Sequence, residues 1–67
     1  MNHFTYEVLT YNEDGKCLEN KPFNTHLESK IYYQLLSEDK DVYHVEHIKI
    51  TNGNVRKMIR CSIDNFE

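Results

Sequence analysis

Glycine and proline are scarce in this chain, two of one and one of the other, and tryptophan is missing altogether. With only Gly15 and Gly53 available, both assigned to turns, a phosphate cradle built from successive backbone amides is not expected. No glycine-rich nucleotide loop, HExxH helix, serine elbow or EF-hand loop occurs. Cysteine is equally sparse: Cys17 and Cys61 stand far apart, outside any CxxC pair. Two cysteines do not make the dense disulfide framework of a small secreted domain. No stretch approaches the roughly 20 apolar residues of a membrane helix. Residues 1–7 (MNHFTYE) also lack the basic region and apolar run of a secretory signal. These gaps together predict a cytoplasmic protein with two reduced thiols and no membrane contact.

Length sets the next limit. A chain of 67 residues forms one small domain, 1–67, and hides only about 60% of the surface its unfolded form exposes. Its core holds one layer of side chains between a helix and a sheet, which leaves little room for a deep catalytic pocket. Neither enzymatic activity nor a cofactor nor a bound metal is expected. Eight basic against eleven acidic residues give −3 with histidine neutral, which weighs against general nucleic-acid affinity. Protonating all four histidines adds four charges and takes −3 to +1, so solubility is expected to change between neutral and mildly acidic pH.

The first extended run is 3–11 (HFTYEVLTY), where Phe4, Tyr6 and Val8 share one face and Thr5, Glu7, Leu9 and Tyr11 the other. Residues 12–16 (NEDGK) supply turn chemistry. Residues 17–21 return as a short strand that Pro22 is expected to end, since proline donates no ladder hydrogen bond. Thr25 followed by Glu28 has the form of a capping box, with Asn24 as the competing cap. Beyond it Leu27, Ile31 and Leu35 recur every fourth residue, flanked by Tyr32 and Leu36. This is the pattern of an amphipathic helix of about 13 residues with its aliphatic stripe on the sheet. Lys30, Tyr33, Gln34 and Ser37 lie off the stripe. The helix runs into Glu38, Asp39 and Asp41, an unfavourable charge for the negative end of a helix dipole.

Asn52-Gly53 between two extended runs predicts a two-residue type I′ hairpin spanning 42–63. Pairing Thr51 with Asn54 then opposes Ile50 to Val55, Ile48 to Lys57, Glu46 to Ile59, His44 to Cys61 and Val42 to Ile63. Most of that face is apolar, so it is the expected core face, with Glu46 and Lys57 as misfits. Residues 64–67 read as a tail. The order strand, strand, helix, strand, strand gives an α+β fold: a four-stranded antiparallel sheet (ββαββ) with one amphipathic helix packed on one face.

Two groups could carry function. His44, Glu46 and Cys61 fall on one face, the residue types of a zinc site or an activated thiol, but three groups without a fourth read better as packed core. The outer face of the second hairpin presents Tyr43, Val45, His47, Lys49, Arg56, Met58 and Arg60 with no acid among them. A basic strip with an aromatic suits a protein partner, and secondarily a nucleic acid. The expectation is a small accessory or inhibitory protein that binds another protein through its sheet face or edge. With so small a core and two open sheet edges, it is also expected to form a homodimer, by edge pairing.

Overall fold

The computed structural model describes residues 3–61. Four strands and one helix follow in the order β1 (Phe4–Tyr11), β2 (Cys17–Phe23), α1 (His26–Ser37), β3 (His44–Thr51) and β4 (Val55–Cys61). The strands form one antiparallel sheet ordered β2-β1-β3-β4, with α1 packed on it, so the ββαββ architecture holds. The expected pairings Val42–Ile63 and Tyr43–Ser62, and the tail 64–67, lie outside the described residues.

The local chemistry of the turns is as the residues dictate. Asn12 Oδ1 accepts from the amides of Asp14 and Lys16 at 3.0 and 2.9 Å, and Gly15 takes φ +83° to complete the loop. Pro22 does not end β2. It sits inside the strand, opposite Glu7, which is tolerable because β2 is an edge and one side of its backbone has no ladder to complete. Thr25, not Asn24, caps the helix: its Oγ1 accepts from the Glu28 amide at 3.3 Å and donates to Glu28 Oε1 at 2.8 Å.

Asn52 and Gly53 adopt φ +53° and +79°, the signs a type I′ turn requires, and the Asn54 amide bonds Thr51 O at 3.2 Å. The pairing beyond the turn differs from the expectation. Thr51 is opposite Val55, which puts Arg56 opposite Ile50 and Met58 opposite Ile48. A bulge between His47 and Ile48 then shifts the register again, bringing Arg60 opposite His47 and Cys61 opposite Glu46. One residue of slip exchanges the two faces of β4 relative to β3. Lys57, expected on the Ile48 face, therefore joins Lys49.

Two larger corrections follow. The helix covers the other face of the sheet: Val8, Val45 and Tyr33 form the buried cluster, with Phe23, Tyr32, Leu36 and Val42 packed against it. The helix is also turned over on its axis. Ser29 and Tyr33 face the sheet, while Leu27, Ile31 and Leu35 are 66%, 49% and 64% exposed. At about 100° per residue, Ile31 and Tyr33 point in nearly opposite directions. The cause lies in what the sheet offers. His47 is fully buried and needs a polar partner, which a small hydroxyl-bearing residue supplies and a leucine cannot.

The helix-free face is closed in a different way. Ile48 and Ile50 on β3 are both buried, and the Arg56–Glu7 ion pair at 2.5 Å joins the strands on either side of them. To meet, those two side chains must cross above β3. Their methylene stems shield the isoleucines in the way long charged side chains cover apolar surface.

Candidate functional site

The seven residues of the expected basic strip do not share one open surface. Val45 and His47 lie fully buried beneath α1. Arg56 and Met58 stand on the opposite, helix-free face, paired with Ile50 and Ile48. Arg60 stays on the helix side, its guanidinium 5.9 Å from the centre of the Tyr33 ring. Lys49 is on that side too, 4.1 Å from the centre of the Phe4 ring. Tyr43 is exposed just before β3, its amide bonding Tyr11 O at 3.2 Å. Two physical causes disperse the strip: α1 covers the face that holds Val45 and His47, and the one-residue register slip turns Arg56 and Met58 to the other face before the bulge restores Arg60.

In place of the strip, the structure assembles a ring cluster under the start of the helix. The His47 imidazole stacks on His26 and Tyr33, with centroids 5.5 and 5.7 Å away, and meets Tyr6 at 6.1 Å. Ser29 Oγ lies 2.8 Å from His47 Nε2 and 2.8 Å from the His26 carbonyl. The carbonyl accepts only, so the single hydroxyl proton goes to it and Nε2–H donates to Ser29 Oγ. That assigns the tautomer and leaves Nδ1 as a lone acceptor; it is buried with no hydrogen-bond partner among the described residues. A second proton on the ring would have to sit at that buried Nδ1. Burial first, then the nearby His26 and Arg60, lower the His47 pKa to about 4. A hydroxyl against an imidazole is also the form of a nucleophile and its base, but both groups are closed to solvent, and the bond serves to fix the helix on the sheet.

The His44, Glu46 and Cys61 group does converge, by a register other than the expected one. Cys61 stands opposite Glu46, not His44. Glu46 is already committed: Tyr11 Oη donates to its Oε1 at 3.1 Å, and His44 Nε2 is 3.2 Å from its Oε2. Burial, then the bond to Glu46, raises the Tyr11 pKa. An open cavity of about 350 Å³ lies alongside, lined in part by Tyr11, Tyr43, His44 and Glu46. No cluster suited to a metal ion occurs among the described residues. Both thiols are free; Cys17 is exposed and Cys61 half-buried.

The outer helix stripe is an uncovered apolar feature of another kind. Leu27, Ile31 and Leu35 point away from the sheet, flanked by the exposed Glu28, Gln34 and Glu38. Scattered exposed leucines need no explanation, but three aliphatic side chains in register on consecutive turns form one continuous ridge. The ends of this helix carry opposite character: positive dipole and Thr25 cap at the start, Glu38, Asp39 and Asp41 past the end. The same spacing was visible in the sequence as an amphipathic stripe; only the direction it faces was not. Ser29 and His47, whose bond decides that direction, carry no pattern in the sequence that pairs them. No helix among the described residues is long and apolar enough to cross a membrane. Compared with known protein families, with curated proteins and with solved structures, the chain matches none.

Proposed function

We propose that the protein is a non-enzymatic binding protein whose working surface is the outer face of its helix, and that this face seats an amphipathic helix, first of all that of a second copy. The exposure of Leu27, Ile31 and Leu35 carries the reading. Their spacing is symmetric about Ile31, so an antiparallel helix related by a two-fold axis sets Ile31 against its own copy and Leu27 against Leu35. The same arrangement brings Glu38, Asp39 and Asp41 of one copy to the positive end of the other helix, a favourable use for charges that are badly placed in isolation. The stripe opens on the order of 300 Å² of apolar surface per copy, below the roughly 800 Å² of a standard interface. The dimer is therefore weak and exchanges with other helices, which suits an accessory or inhibitory protein that holds a larger partner. The free thiols suit a reducing compartment such as the cytoplasm.

Sedimentation equilibrium at tens of micromolar tests this. The wild-type mass should exceed 8.1 kDa and rise with concentration towards twice that value, and Ile31→Lys should run as a folded 8.1 kDa monomer, because the side chain it replaces is outside the core. A wild-type protein that stays monomeric, or a dimer that Ile31→Lys leaves intact, contradicts the reading.

A further inference from the structure

One row of the sheet escapes the helix. Phe23, Tyr6, Lys49 and Lys57 are successive partners across β2, β1, β3 and β4, on the side where α1 packs. The neighbouring row contains Val8, His47 and Arg60 and lies under the first turns of the helix. His26, the first helical residue, rests its ring on Tyr6 at 5.4 Å. Beyond it the helix has not yet begun, and the β3–β4 end of the Tyr6 row lies open. The result is an open cleft of about 620 Å³ lined by Tyr6, His26, Lys49, Lys57, Met58 and Ile59, within the size range of small-molecule sites.

Its electrostatics are unusual for this chain. Lys49 and Lys57 stand directly opposite each other, an arrangement of like charges that destabilises a strand pair. Neither forms an ion pair among the described residues. Register shows why: the helix-side residues of β1 are Phe4, Tyr6, Val8 and Thr10, those of β3 are Val45, His47, Lys49 and Thr51, and those paired to them on β4 are Val55, Lys57 and Arg60. None is acidic, in a chain with eleven carboxylate side chains. Glu7, on the other face, is held by Arg56. The walls add ring faces and apolar surface: Tyr6 and His26 on one side, Ile59 on the other, with Phe4 beneath the Lys49 ammonium.

We infer that this cleft binds a nucleoside monophosphate, its phosphate held between the Lys49 and Lys57 ammonium groups and its base against Tyr6 and His26. Two facing cations without a carboxylate are compensated when a dianion enters between them. A flat heterocycle matches the ring faces, and Ile59 closes the apolar side. The site is independent of the helix stripe, since the cleft lies on the sheet side of α1 and the stripe on its far side.

The test is an NMR titration of the ¹⁵N-labelled full chain with adenosine monophosphate, adenosine, inorganic phosphate and a six-nucleotide oligoadenylate. Adenosine monophosphate should give saturable shifts centred on Tyr6, His26, Lys57, Met58 and Ile59, with a dissociation constant below about 1 mM. Adenosine and phosphate alone should each bind at least about tenfold more weakly. Lys57→Gln should weaken binding about tenfold or more while leaving the melting temperature unchanged or higher, because it removes the like-charge pair. The absence of saturable shifts by about 10 mM overturns the proposal. So does phosphate binding as tightly as the nucleotide, or a Lys57→Gln variant that binds normally. An oligoadenylate that binds about a hundredfold more tightly than the monophosphate, with steep salt dependence, overturns it in favour of a single-stranded nucleic acid.

Discussion

His47 is the residue on which the orientation of the whole helix depends. It is buried, stacked between rings, bonded to Ser29 through Nε2–H and left with an unpartnered Nδ1. The groups packed against it are Tyr6 from β1, His26, Ser29 and Tyr33 from α1, and Arg60 across from it on β4. The folded protein holds the ring neutral, with its pKa lowered from 6.5 to about 4. The unfolded chain therefore binds a proton that the native state refuses, and stability falls as pH drops from 6.5 towards 4. The full loss is about 3 kcal/mol for this group. His47→Phe keeps a flat ring in the stack and leaves Ser29 bonded to the His26 carbonyl. Urea unfolding at pH 7 and pH 4.5 should show a clear fall in midpoint for the wild type and a much smaller one for the variant; equal falls would show that the proton goes elsewhere. The thiols give a second residue-scale test. Cys17 is exposed and Cys61 half-buried on the Glu46 face, so alkylation of the native protein should label Cys17 first, and faster labelling of Cys61 would contradict this placement.

At the scale of elements, the helix start is set by Thr25, whose hydroxyl serves both the Glu28 amide and its carboxylate. Thr25→Ala should cost about 1 kcal/mol in chemical denaturation, and a change within a few tenths would show that Asn24 takes over the cap. This much was readable from four consecutive residues, as were the Asn52-Gly53 turn, the Asn12 loop and the existence of all five elements. Local chemistry determines such features, and local chemistry is what a sequence displays. The helix face was not readable, because hydropathy ranks Leu27, Ile31 and Leu35 above Ser29 and Tyr33. The core that formed sets Val8 and Val45 against Tyr33 beside the buried His47 imidazole, and the Ser29–His47 hydrogen bond fixes the helix over it. The pairing beyond the turn was hidden for a related reason: Thr51 opposite Val55 places Arg56 where it can reach Glu7 across β3, a long-range contact with no signature in the chain. The seven-residue basic strip was derived from the pairing without this shift and with the helix on the other face, and dispersed with both.

For the whole molecule, the arrangement is a sheet, one helix, and an apolar ridge on the far side of that helix. A sheet with a single helix is a two-layer structure, and its outer layer ordinarily faces water with its polar side. Here the polar side is partly turned inward, where Ser29 meets His47, and the aliphatic side is turned out. A second copy placed helix to helix would convert two thin layers into four, and would bury in the assembly the stripe that folding leaves uncovered. Disulfide trapping tests that claim most directly. With Cys17 and Cys61 both replaced by Ser, Ile31→Cys places one thiol per chain on the proposed two-fold axis, where facing helices 8–10 Å apart bring like positions within bonding reach. Mild oxidation should convert this variant rapidly to a covalent dimer, while a control thiol at Asn20, exposed on edge strand β2, should remain monomeric. If the Ile31 thiol forms dimer no faster than the Asn20 thiol, the helix stripe is not where two copies meet.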